Sequence, residues 1–137
     1  EFLDILRAPD KLRLWLAFIE EWQPEGGTIE SFATARAALG TLAGAVSDEE
    51  VAKALITEEC GRTIQHVLQH DNVEMLHRVL VLIHSLVAHE PVIAKNAANH
   101  LAQYQIIPAL AIVAKCRNTD LDELLASIVE QMTSLLS

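Results

Sequence analysis

The sequence predicts an all-α fold: a short armadillo/HEAT-like helical-repeat solenoid, wound as a right-handed superhelix of about three repeats. Three observations carry this. Hydrophobic residues make up 51% of the chain but aromatic ones only 4%, so Leu, Ala, Ile and Val fill the core, which favours helices over sheets. Apolar residues recur at three- and four-residue steps in successive segments, with no convincing period-two stretch. The long helical segments also repeat at a fixed distance.

The elements follow in order. Leu12 to Trp22 is a helix entered through Pro9-Asp10 and ended before "QPEGG", where Pro24 and the pair Gly26-Gly27 break it. "TIESFATARAALGTLAGAV" places Phe32, Ala35, Leu39, Leu42 and Val46 on one face. Ser47-Asp48-Glu49-Glu50 has the S-x-x-E form of a capping box and starts a short helix reaching about Glu58. Arg62 to His70 is next. The apolar stretch "MLHRVLVLIHSLVAHEP" lies within a helix from Val73 to Ala88, with Leu76, Val79, Leu80, Ile83, Leu86 and Val87 on one face and Val81 and Leu82 beside it, so neighbours should cover it on more than one side. Pro91 suits the first turn of a helix reaching Tyr104. Ile107 to Arg117 and Leu121 to Leu136 complete the series, with Thr119 and Asp122 as a second capping pair.

Aligning the three long helices on Leu39, Ile83 and Ile128 gives offsets of 44 and 45 residues. A period of about 40 to 47 with two or three helices per unit is that of armadillo and HEAT arrays. The whole chain, 1–137, is then one block with units of about 9–60, 61–105 and 106–137. Each unit buries its apolar face only by stacking on the next. Small residues such as Ala37, Ala38, Gly40, Ala43, Gly44 and Ala45 let the first long helix approach its neighbours closely. The chain opens on Glu1-Phe2, which resembles the inside of a helix, and has no initiating Met, so a longer parent protein is expected.

Charge and composition narrow the function. Ten Lys and Arg against 19 Asp and Glu give a net charge of -9, and the basic residues form no run, which argues against nucleic acid as a partner. The longest uninterrupted apolar run in the central helix, Val79 to Ile83, is far short of the roughly 20 residues that span a bilayer, so no membrane role is expected. Two cysteines, Cys60 and Cys116, are too few for a disulfide framework and fit a reducing, cytoplasmic setting.

"DKLRLWLAFIEE", "TARAALGTLAGAVSDEEVAKALI" and "VLQHDNVEMLHRVLVLIHSLVAHEPVIAKNAANHLAQYQIIPALAIVAK" resemble, in order, the last armadillo repeats of the UCS (Unc, Cro and She) family of myosin chaperones. The most telling segment is Leu76-His77-Arg78 before the aliphatic helix, with Ile93-Ala94-Lys95 after it. The family has a Gln-His-Arg-Gly at the former place, so Val79 stands where Gly is usual. Armadillo third helices carry a groove-lining Asn where this chain has Thr41, Ser85 and Glu130, which argues against extended-peptide binding of the importin type. The resemblance implies a protein-binding (co-)chaperone that helps fold and assemble the myosin motor domain. A heat-shock chaperone would be recruited through regions outside this chain.

No chemistry-bearing motif competes with that reading. His66, His70 and His77 fall four and seven residues apart near Cys60, but one Cys and no H-E-x-x-H make a poor zinc set, and solvent-facing or helix-capping histidines are expected instead. "EGGTIES" lacks the Gly-Lys-Thr of a phosphate loop, there is no G-x-S-x-G elbow, and neither Cys has an activated surrounding. No enzyme activity, metal or cofactor is expected.

Function is then expected on the concave face lined by the three long helices. Counting back four and seven residues from the Asn-equivalent position places Thr34, Ala37 and Thr41, then Arg78, Val81 and Ser85, then Glu123, Ala126 and Glu130 on that face. The surface runs from small and neutral, past one arginine, to acidic. Solvation of these residues, or an Arg78 to Glu123 pair tying adjacent repeats, is the alternative.

Overall fold

The computed structural model describes residues 6–23, 27–70, 72–115 and 118–136. All regular structure among them is helical, with no strand: α1 Pro9–Glu20, α2 Ile29–Ala45, α3 Glu49–Ala54, α4 Glu58–Leu68, α5 Val73–Val87, α6 Pro91–Ala102, α7 Ile106–Ala114 and α8 Thr119–Leu136. The expected helical start at Glu1-Phe2, the break at Pro24 and Gly26, Cys116, and Arg117 as the end of the seventh helix lie outside the described residues.

Most helices begin where a short polar side chain satisfies a free backbone donor. Thr28 Oγ1 accepts from Ser31 N at 3.0 Å, Asn72 Oδ1 from Met75 N at 3.0 Å, and Glu90 Oε1 from Ile93 N at 3.0 Å beside Pro91 at the first helical position. The expected caps move by one residue in two places. Asp48, not Ser47, caps α3, accepting from Val51 N at 3.1 Å while Arg7 holds its carboxylate. Asn118, not Thr119, precedes α8, accepting from Asp120 N through its side chain and from Asp122 N through its carbonyl, both at 2.9 Å.

Two boundaries differ more. The short helix stops at Ala54 instead of Glu58, because Thr57 turns the chain and caps a new helix by accepting from Cys60 N at 3.3 Å. α4 therefore starts a turn before Arg62 and carries Gly61 inside it. Further along the chain, α6 gives way to α7 through Gln105, the one non-glycine residue with positive φ among the described residues, at 58°.

Packing follows the order of the helices. α2, α5 and α8 lie side by side, as do α1, α4 and α7, while α6 closes on α5, α7 and α8. α5 is the centre: Met75, Leu76, Val79, Leu80, Leu82, Ile83, Leu86 and Val87 are all buried, covering it on both sides as its broad apolar arc requires. A single apolar cluster runs from Leu6 to Met132. No helix in the described residues is long and apolar enough to cross a membrane.

Candidate partner-binding surface

The surface common to α2, α5 and α8 contains two open hollows. The first, about 610 Å3, is lined by Ala37, Gly40, Thr41, Ala43 and Gly44 of α2 with His77, Arg78 and Val81 of α5. The second, about 570 Å3, is lined by Val73, Glu74, His77 and Arg78 of α5 with Thr119, Asp120, Leu121 and Glu123 of α8. His77 and Arg78 belong to both, so they form the divide between two parts of one groove.

The expected contact residues are spread unevenly over this surface. Thr41, Arg78 and Val81 meet in the first hollow, and Glu123 joins Arg78 in the second. Thr34, Ser85 and Glu130 line neither; Thr34 and Glu130 are exposed and Ser85 is half-buried. Counting from one position missed His77, Gly44 and Asp120. Their signal was present in the same spacing: His77 stands four before Val81, and Asp120 three before Glu123.

Arg78 is fixed by α2. Its Nη1 donates to the carbonyl oxygen of Arg36 at 2.8 Å, using the lone pair left over from the helical hydrogen bond. Gly40 makes room for this, since a Cβ there would overlap the Arg78 guanidinium. Arg36 in turn lies over the Phe32 ring, 5.3 Å from its centroid, and pairs with Glu74 at 3.2 Å. The strap between the two helices thus runs from α5 to the α2 backbone, and no Arg78 to Glu123 pair exists among the described residues.

The histidines form a second set of ties. Those of His66, His89 and His100 reach the backbone oxygens of Trp22, Val46 and Thr57 at 2.9, 3.2 and 2.6 Å. A carbonyl only accepts, so each Nε2 carries the proton and donates. The acceptors precede their histidines by 44, 43 and 43 residues. His84 meets Ser127 43 residues later, and Gln131 Nε2 donates to the Val87 carbonyl 44 residues earlier. His66, expected to face solvent or cap a helix, reaches a carbonyl just beyond the C-terminal end of α1, and His89, itself just past the end of α5, reaches the C-cap residue of α2. Sequence reasoning had the period in hand but did not apply it to polar residues.

Cys60 is fully buried and desolvation pushes its thiol up to about 12, so the thiolate that nucleophiles and metal ligands require is not formed near neutral pH. No three His, Cys, Asp or Glu residues converge on a common point among the described residues. Small hollows, one guanidinium held from behind and a set of carboxylates can bind a side chain or a charged group, and that is the chemistry they offer. Comparison with protein-family models, with curated proteins and with solved structures found no match for the chain.

Proposed function

We propose that the chain is an armadillo/HEAT-like block of the UCS type, a protein-binding module whose groove across α2, α5 and α8 receives a segment of a myosin motor domain during its folding and assembly. The observation that supports the solenoid reading is the register of its polar ties: side-chain hydrogen bonds at separations of 43 and 44 residues, close to the 44- and 45-residue sequence period. A repeat array of this kind presents like positions of successive units along one face, which is how solenoids build extended binding surfaces. The module acts without covalent chemistry, in the cytoplasm, by covering exposed apolar segments of a partly folded client that would otherwise aggregate. A heat-shock chaperone would be engaged elsewhere in a longer protein.

Purified myosin motor domain, held partly unfolded by mild heating, tests this directly. The chain should bind it and suppress its light scattering, and Thr41→Arg with Val81→Arg, which fill the first hollow, should abolish both effects while leaving the helical melting curve in place. Unchanged protection by the folded double variant would sink the groove. Binding to another purified protein but not to myosin would favour an unrelated armadillo or HEAT scaffold or adaptor. Arg78→Glu is a poorer probe, since it also removes the tie to α2.

A further inference from the structure

The two parts of the groove differ in character although they share His77 and Arg78. On the α2 side the wall is made of Ala37, Gly40, Thr41, Ala43 and Gly44, without a charged side chain. On the α8 side Glu74, Asp120 and Glu123 set three carboxylates against the single guanidinium of Arg78. That guanidinium points to the Arg36 carbonyl at 2.8 Å, and Glu74 is already engaged by Arg36. Asp120 and Glu123 hold no ion pair among the described residues and both are exposed, so their charge faces whatever enters.

We infer that the groove takes an amphipathic basic segment of a partner protein: a bulky apolar side chain in the hollow between α2 and α5, followed by lysine or arginine against Asp120 and Glu123. This deepens the partner-binding reading above and rests on it. The small α2 wall leaves volume for a large side chain, and a side chain placed there loses water on several sides. Packed helices lie about 8–10 Å apart and an extended chain advances about 3.3 Å per residue, so about three residues separate the apolar anchor from the basic group. The net charge of -9 adds long-range attraction for the same segment and repels acidic ones.

Fluorescence anisotropy with labelled Gly/Ser peptides tests this on the full chain. The probe carries one phenylalanine and, about three residues on, two lysines; one control has glutamates for the lysines and another serine for the phenylalanine. The lysine probe should bind at least about tenfold tighter than either control. Two protein variants locate the site. Gly44→Leu puts a side chain into the first hollow where an added Cβ meets nothing within 4 Å, so the fold tolerates it. Asp120→Lys with Glu123→Lys reverses two exposed charges. Each should weaken the lysine probe by about tenfold or more, and the charge reversal should make the glutamate control the better ligand. Absence of lysine-probe binding, equal binding of the glutamate control, or indifference to the charge reversal overturns the inference. If Gly44→Leu weakens the lysine probe while charge is irrelevant, the basic partner falls but the groove stands. If Gly44→Leu also changes nothing, the groove itself is the wrong place.

Discussion

Gly40 shows how one absent side chain can decide the relation between two helices. Glycine inside a helix costs roughly 0.5–1 kcal/mol against alanine, so a glycine here needs a compensating contact. It has one in the Arg78 guanidinium, which occupies the place of its Cβ to reach the Arg36 carbonyl. Gly40→Ala therefore displaces the far end of the flexible Arg78 side chain and sacrifices its bond to the Arg36 carbonyl, so any net destabilisation in urea unfolding should stay within about 1 kcal/mol after the better helix propensity is counted. In Arg78→Ala the same change should cost nothing or stabilise slightly; equal penalties in both backgrounds would show that the two residues do not compete. Gly61 also makes room for a side chain, with the Tyr104 ring 2.6 Å from where its Cβ would stand. Cys60 beside it offers a separate check. With Cys116 replaced by Ser, a thiol reagent at pH 8 should label native protein only as fast as it unfolds, because the Cys60 thiol is held up near 12 and is buried. Rapid stoichiometric labelling of the folded protein would contradict that burial.

Among the elements, α3 and α7 are set most clearly by what happens at their first residue. Asp48 caps α3 and receives Nε and Nη2 of Arg7 at 3.0 and 2.6 Å, which lowers its carboxyl from 3.8 to about 2. A carboxylate whose acidity is increased by folding adds stability above its ordinary range and loses it as pH falls toward the folded value. Asp48→Asn keeps a capping oxygen but removes the charge. The variant should therefore unfold at lower urea than the parent at pH 6, and the gap should close between pH 4 and pH 2; a gap independent of pH would mean that Arg7 contributes nothing. At α7, Gln105 holds a left-handed conformation that costs a side-chain-bearing residue roughly 1–2 kcal/mol. Gln105→Gly should raise stability by up to about 1 kcal/mol after glycine's own entropy is subtracted, and a loss would show that the Gln side chain does more than turn the chain. These ends also mark what the sequence concealed. Apolar spacing located the longer helices among the described residues, because burial of one face is written in residue type, while the short α3 was found from its capping pattern. It did not show α4 beginning at Glu58, since "EECG" carries a residue that usually breaks helices and Tyr104, which justifies Gly61, lies 43 positions away. Ser47 and Thr119 were plausible caps for the same local reason, and only the three-dimensional position of Arg7 and the Asn118 side chain decides for their neighbours.

At the scale of the whole molecule, α5 is packed between α2 and α8, whereas α8 has a described helix of its own kind on one side only. The groove was legible in part for the same reason: Thr41, Arg78, Val81 and Glu123 follow from helical phase, but the divide at His77 and the role of Arg78 as a strap depend on how far apart the helices sit. On the proposed nearest-neighbour stacking, equal damage at the centre and at the end should have unequal reach. Ile83 and Ile128 occupy corresponding positions, both fully buried, and truncating either to alanine should cost about 2–5 kcal/mol locally. Ile83→Ala removes contacts shared by two interfaces, so hydrogen exchange should accelerate from α2 through α8 and the melting temperature should fall for the entire chain. Ile128→Ala loosens the terminal interface alone. Its α7 and α8 amides should exchange quickly while α1 to α4 keep their protection, giving a partly open species in mass-resolved exchange. If Ile128→Ala instead accelerates every helix to the same degree, the chain unfolds as one indivisible core, and the description of separable stacked units is wrong.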